Sequence, residues 1–340
     1  MIAPKENLSH QPVKAVGLIS GGLDSILAAR IIRDLGVEVY GVYFAMPWGC
    51  CDKTKAIEAA QSLGIKFMVL QLNESYLEMI KKPKYGYGTA LNPCTDCRIH
   101  MFSRAAQYMK SIDAQFVFTG EVLGQRPMSQ MRPRMNIIER DSGLEGRLLR
   151  PLSAQLLEPT IPEKEGIIDR EKLLALSGRS RKTQIDMAAQ YAITDYLPPA
   201  GGCLLTDQNF ANRMKDVFEH GYRDFRETIG LKWGRHFRIS KEFKVTLGRN
   251  ADENVSLLQY VHRDDFIMER SDKRGPTLIL KGVNPTPEIL SIAAGLIQRF
   301  SKQSNGKFAE IVYWPVKQND SISQIHAAIL DDTQIEAMRI

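Results

Sequence analysis

The chain has 340 residues, 44% of them apolar and 25% charged, which suits a soluble globular protein with room for two cores. Its formal charge of +6 and pI of about 9.0 admit a polyanionic partner such as RNA without requiring one. Five cysteines are an odd and sparse set, which argues against a secreted disulfide framework. The opening Met1 to Lys14 is polar and unlike a signal peptide, and no stretch reaches the roughly 20 apolar residues of a membrane span. A cytoplasmic protein away from the membrane is expected.

Strands and helices alternate through the first half. Ala15 to Ser20 reads as a buried strand, and Asp24 to Leu35 has helical periodicity that stops at Gly36. A strand over Val37 to Phe44, a helix over Thr54 to Leu63 and strands over Lys66 to Leu72 and Gln115 to Thr119 continue the series. This alternation predicts a parallel sheet with helices on both faces, which binds ligands at the carboxyl ends of its strands. Arg126 to Pro162 has weak periodicity and reads as loops and short strands, and Asn209 to His220 reads as a helix closing the first unit. From about Gly230 the pattern restarts with strands His236–Ser240, Lys244–Leu247, Thr277–Leu280 and Glu310–Trp314 and helices near Asp252–Val261 and Pro287–Phe300. The expected organisation is a polar tail over 1–13, an α/β domain over 14–229 and a second, smaller α/β domain over 230–340.

Ser20-Gly21-Gly22-Leu23-Asp24-Ser25 falls where the first strand meets the first helix. Two glycines let backbone N–H groups approach a phosphate, Ser20 and Ser25 add hydroxyls, and the helix start adds its positive dipole end. Asp24 would be repelled by phosphate alone, so a bridging Mg2+ is expected there. A plain glycine turn with Asp24 as helix cap is the simpler alternative. The six residues resemble the PP-loop signature of the ATP pyrophosphatase superfamily, an adenine-nucleotide α-hydrolase-like fold. That resemblance implies adenylation of a substrate by ATP with release of pyrophosphate. ATP would lie on Ser20, Gly21, Gly22, Asp24 and Ser25, with its base near Phe44 and the Thr119-Gly120 strand end.

Asn92-Pro93-Cys94-Thr95-Asp96-Cys97 precedes a helix-like run, Arg98 to Met109. A CxxC at a helix start favours thiolate, which both binds soft metals and attacks sulfur. Cys203 follows Pro198-Pro199-Ala200-Gly201-Gly202, a turn that presents a thiol at a loop tip. Together these segments resemble the tRNA thiouridine synthases of the PP-loop superfamily. The similarity runs from about Lys14 to His220, and is greatest to the short 4-thiouridine-synthase-like type. It also rests on Gly86-Tyr87-Gly88, Thr119 to Gln130 and Arg150-Pro151-Leu152. The RNA-binding and rhodanese domains of classical 4-thiouridine synthases are missing from it.

The resemblance implies a tRNA sulfurtransferase in which a base carbonyl, expected to be uridine, is adenylated and its oxygen replaced by sulfur. Asp24, Cys94 and Cys203 would be catalytic. Cys94, Cys97 and Cys203 would hold a 4Fe–4S cluster with one iron left open, or sulfur would ride as a persulfide on Cys94 or Cys203. Zinc on Cys94, Cys97, His100 and Cys203 is an alternative, disfavoured because four protein ligands leave no open position. Cys50 and Cys51 are expected to be ancillary. Sulfide or a cysteine desulfurase or carrier would donate sulfur, and a homodimer is compatible with the reading. The rivals are an adenylating amidotransferase-type ligase and a non-catalytic ATP-binding protein that binds RNA.

His236 to Trp314 resembles the small R domain of the NFACT proteins, through His236-Phe237-Arg238, Val245 to Asn250, Asp252 to Asn254, Gly275-Pro276, Ala293-Ala294 and Phe300-Ser301-Lys302. The resemblance implies RNA binding. Lys244, Arg249, Arg263, Arg270, Lys273 and Arg274 are candidates to track phosphates, with Tyr260 and Trp314 to stack bases. Arg179, Arg181 and Lys182 form a further basic cluster, equally readable as a solvated face.

Overall fold

A computed structural model describes residues 12–49, 52–198, 202–301, 310–318 and 321–340. Cys50, Cys51, Pro199, Ala200 and Gly201 lie outside the described residues, as does the tail over 1–11. The chain divides into two compact units, Met1–Leu204 and Leu205–Ile340.

The first unit carries β1 (Lys14–Leu18), α1 (Leu23–Asp34), β2 (Glu38–Ala45), α2 (Lys53–Ser62), β3 (Lys66–Gln71), α3 (Glu74–Lys81), α4 (Cys94–Ser111), β4 (Phe116–Thr119), α5 (Arg132–Asp141), β5 (Leu148–Leu149), α6 (Ile161–Lys164) and α7 (Lys182–Gln190). Its five strands are parallel, in the order β3-β2-β1-β4-β5. The chain winds outward from β1 to β3 and then returns to β1's other flank, so β1 and β4 bound a topological switch point. Buried Ile19, Leu23, Leu27 and Ile32 pack with Phe116 and Phe118 in the core. On α4, Met101, Phe102, Ala105, Ala106 and Met109 form the buried stripe that a 3.6-residue period requires.

Four described helices of this unit lie outside the expected elements: α3, α5, α6 and α7. α5 falls in the span expected to be loops, and only Met135 and Ile138 mark its buried side. The buried side of α7 carries Gln184 and Ala188, with Met187 partly buried against the same core, a short stripe interrupted by a polar residue.

The second unit carries α8 (Gln208–His220), α9 (Phe225–Ile229), β6 (Arg235–Arg238), β7 (Lys244–Leu247), α10 (Ala251–Leu258), β8 (Phe266–Arg270), β9 (Leu278–Lys281), α11 (Pro287–Phe300), β10 (Ile311–Pro315), β11 (Ser323–Ile325) and α12 (Asp332–Met338). Its sheet is antiparallel, in the order β11-β10-β8-β9-β7-β6. Phe237, Val245, Leu278 and Leu280 of the sheet share a core with Ala293, Ala294, Leu296 and Ile297 of α11. The unit begins about 25 residues before the expected Gly230, and α8 is the reason. Its Asp216 accepts from Arg238 Nη2 at 2.7 Å and Lys244 Nζ at 2.8 Å, and its Arg213 donates to the Leu231 carbonyl at 2.9 Å.

Candidate nucleotide and thiol sites

The phosphate-loop motif lies between β1 and α1, at the switch point. Ser25 Oγ donates to the Gly22 carbonyl at 2.8 Å and accepts from Ser20 N at 3.2 Å, which folds the loop back over the helix start. Gly21 has φ +77°, and a Cβ there would lie 2.8 Å from Ala56 N, so both the turn and the packing require glycine. A Cβ on Gly120 would lie 2.4 Å from the Asp24 carbonyl carbon. The end of β4 therefore seats directly on the first turn of α1, which places Thr119 and Gly120 beside the loop. Phe44 is buried near the carboxyl end of β2, the strand on β1's other side.

Burial pushes the Asp24 carboxyl above its usual range, against the pull of Arg181, the Gln125 and Gln184 amides and Arg126. Gln125 and Gln184 come near the carboxylate, yet Asp24 Oδ1 and Gln184 Nε2 are both buried without a completed hydrogen bond. An orphaned buried carboxylate oxygen beside an open glycine turn suits a divalent cation carrying a nucleotide phosphate. Gln125, Arg126 and Gln184 were missed by sequence reasoning because no spacing rule joins them to Ser20–Ser25. The Arg179-Ser180-Arg181-Lys182 cluster splits: Arg179 and Lys182 are exposed, while Arg181 is half-buried with its Nε unpartnered.

The second set of side chains forms at the start of α4. Asp96 accepts from the backbone N–H groups of Lys84 (2.8 Å) and Tyr85 (3.0 Å), which ties the preceding loop to the first helical turn. Cys94 Sγ donates to Asn92 Oδ1 at 3.1 Å, and Cys203 Sγ lies 3.9 Å from the same oxygen. Cys97 Sγ lies 3.2 Å from Tyr76 Oη and 3.9 Å from Met46 Sδ. All three thiols act electrostatically on the buried Tyr76 phenol, whose pKa burial raises first. The structure thus gathers Cys94, Cys97 and Cys203, and none of them is in a disulfide. Leu204 N donates to the Trp48 carbonyl at 2.9 Å, which fixes the chain just after Cys203.

Two details correct the sequence expectation. Burial pushes the Cys97 thiol up to about 11, opposed by the Tyr76 hydrogen bond and Arg98, so the helix start does not make it a thiolate. Among the described residues, no group of three His, Cys, Asp or Glu side chains already stands at metal-holding spacing. His100 contacts Tyr76 edge-on with ring centroids 5.5 Å apart and is no part of such a group.

The phosphate loop and the thiols are joined through Glu121, next to Gly120. Its buried carboxylate accepts from Arg150 Nε at 3.2 Å and lies 3.7 Å from Nε of Arg98, the residue after Cys97.

In the second unit, two of the expected phosphate-tracking cations are structural. Lys244 is buried against Asp216, and Arg270 is buried with its guanidinium on Asp272 at 2.7 Å. Arg249 is paired with Glu253, whereas Arg263, Lys273 and Arg274 are exposed.

The doubly wound sheet with SGGLDS at its switch point defines the class: a PP-loop domain of the adenine-nucleotide α-hydrolase-like fold. Residues 11–168 match the family model described as thiamine biosynthesis protein (ThiI), and residues 234–338 match that of the NFACT protein RNA binding domain. The chain is thus similar to the first family over its first unit and to the second over its second. The tRNA-specific 2-thiouridylase MnmA of Tropheryma whipplei (strain Twist) is 33% identical over 121 residues, 32% of this chain and 34% of the relative. That of Sulfurimonas denitrificans is 34% identical over 113 residues, 31% of this chain and 33% of the relative. The chain thus spans about a third of the length of the curated relatives it matches. A solved 4-thiouridine synthetase–RNA complex with bound ATP is 20% identical, covering 60% of this chain and 50% of that one, with TM-score 0.39. Among the described residues no helix is long and apolar enough to cross a membrane.

Proposed function

We propose that the protein is an ATP-dependent tRNA sulfurtransferase that adenylates a uridine carbonyl and replaces its oxygen with sulfur. The observation that carries this reading is the gathering of Cys94, Cys97 and Cys203 within one fold unit that also holds SGGLDS at its switch point. A carbonyl oxygen is a very poor leaving group, and adenylation turns it into a good one that departs as AMP. Ser20 to Ser25 would cradle the triphosphate and Asp24 would hold the Mg2+, which would supply charge neutralisation to the phosphates. Glu121, fixed by Arg150, keeps Arg98 and the start of α4 in register with the phosphate loop. Cys94 and Cys203 share an acceptor in Asn92, which places both thiols beside one side chain.

Cys94, Cys97 and Cys203, three soft donors that all act on the Tyr76 phenol, are the residues that would hold a 4Fe–4S cluster, closing on it from the wider spacing they have here. When bound, such a cluster supplies an iron without a protein ligand, open to sulfide. Sulfide, or a cysteine desulfurase or carrier, is the proposed donor. The NFACT-R domain is the proposed holder of tRNA, consistent with its family description, and the cytoplasm is the proposed location. The test combines two measurements: AMP and pyrophosphate release with unmodified tRNA, and mass spectrometry of tRNA nucleosides from a deletion strain. Equimolar AMP, pyrophosphate and thiolated nucleoside are expected. Steady ADP production, or a deletion strain with every thionucleoside intact, would overturn the proposal.

A further inference from the structure

Tyr76 on α3 is only 2% exposed, and its hydroxyl meets two sulfurs: Cys97 Sγ at 3.2 Å and Met46 Sδ at 3.4 Å. The ring is fixed by its neighbours, stacked on Trp48 with centroids 6.1 Å apart and edge-on to His100 at 5.5 Å. That leaves the hydroxyl one freedom, rotation of its proton between the two sulfurs. A phenylalanine would fill almost the same volume without burying a polar atom, so packing alone does not call for tyrosine here.

Which sulfur takes the proton depends on the state of Cys97. A thioether only accepts, whereas a thiol both donates and accepts. As a thiol, Cys97 can donate to the phenol oxygen while the phenol donates to Met46. Bound to a metal, Cys97 is a thiolate with no proton to give. The phenol keeps its proton at neutral pH and is then the donor of that pair. Rotation about one C–O bond makes the exchange without moving a heavy atom. Cys97 itself is held in the first turn of α4, its N–H on the Pro93 carbonyl at 2.8 Å, which keeps its sulfur within reach. Cys94 instead points at the Asn92 oxygen, so the two cysteines of the CxxC differ in what faces them.

We propose that Tyr76 is a positioning residue that donates a hydrogen bond to the Cys97 sulfur once that sulfur ligates iron, with Met46 holding the hydroxyl beforehand. The inference rests on the three-cysteine cluster proposed above and goes beyond it by making the ligands unequal. A donor on a ligating sulfur draws electron density from the iron, favours the more negative reduced state and raises the reduction potential.

The experiment is anaerobic reconstitution of the full chain, then redox titration followed by electron paramagnetic resonance. Tyr76→Phe should keep the wild-type iron and sulfide per chain and shift the midpoint potential to a more negative value. Fluorinating the Tyr76 ring makes a stronger donor of nearly the same shape and should shift the potential the other way. In wild type, electron–nuclear double resonance of the reduced cluster should show a proton coupling that D2O removes. An unchanged potential in both altered chains would overturn the inference and leave the cluster reading standing. Where Tyr76→Phe assembles no cluster, the other two measurements decide: an unshifted potential on fluorination with no exchangeable coupling in wild type would overturn it. A wild-type chain that assembles no cluster would overturn both.

Discussion

A thiol on a helix start gains from the dipole, but Cys97 also lies against Tyr76 and Met46, where desolvation outweighs that gain. Its position in the motif was legible in the sequence; its protonation was not, because burial is a property of what packs around it. Single alanine substitutions of Cys94, Cys97 and Cys203 should each lose or degrade the cluster on anaerobic reconstitution, counted as iron and sulfide per chain. Cys50→Ala and Cys51→Ala should keep it. Full cluster content in Cys203→Ala would refute the three-ligand arrangement. Asp24 offers a different test. Its carboxyl is held above the usual range by burial, so ionisation costs the unliganded fold stability as pH rises past the ordinary carboxylate value. Asp24→Asn should therefore melt higher than wild type at neutral pH while losing ATP binding. A lower melting temperature would show that the carboxylate is a net support to the fold.

At the scale of elements, the strands and helices with regular apolar spacing were readable, and the parallel order of the first sheet follows from their alternation. α7 was hard to read because Gln184 interrupts its buried face, and that same side chain acts on the Asp24 carboxyl. The seating of β4 on α1 was equally hidden, since a Thr-Gly pair at a strand end says nothing about what it touches. Gly120→Ala puts a methyl 2.4 Å from the Asp24 carbonyl carbon. Either the strand end or the helix must shift, so ATP affinity should fall at least tenfold with a lowered melting temperature. Affinity unchanged by this substitution would mean that the phosphate loop tolerates movement of its floor.

Over the whole molecule, two domains were legible from the restart of the pattern, while the boundary was not. α8 looks like any amphipathic helix, and only the destination of Asp216 assigns it. A chain ending at Leu204 should keep ATP binding, lose tRNA affinity and show a flatter salt dependence. Unchanged tRNA affinity would remove the second unit from recognition. That unit should also have an acid-sensitive fold. Lys281 and the Arg223 backbone N–H, opposing burial, hold the Glu227 carboxyl down to about 2. For an acid with a depressed folded pKa, the gain is present above its ordinary value near 4.5 and lost as pH falls toward 2. It amounts to about 3 kcal/mol at full effect. Glu227→Gln should lower the midpoint at neutral pH and flatten the acid limb of the stability curve between those values. An acid limb as steep as wild type would assign the sensitivity to another carboxylate.

The backbone on either side of Cys203 is stapled: Leu197 N–H to the Gly21 carbonyl at 3.0 Å and Leu204 N–H to the Trp48 carbonyl at 2.9 Å. One residue of chain spans at most about 3.6 Å, so the cysteine is on a very short leash from its nearer staple. It cannot work as a swinging arm that loads at one place and unloads at another. In the proposed reaction, any sulfur on Cys203 would be handed over where it is received, so RNA base and sulfur supplier would take turns at the same doorway. The first staple grips the phosphate loop itself, six residues before the cysteine. Kinetically, that predicts an ordered reaction: reactivity of Cys203 toward a small alkylating probe should change on ATP addition before any RNA is present.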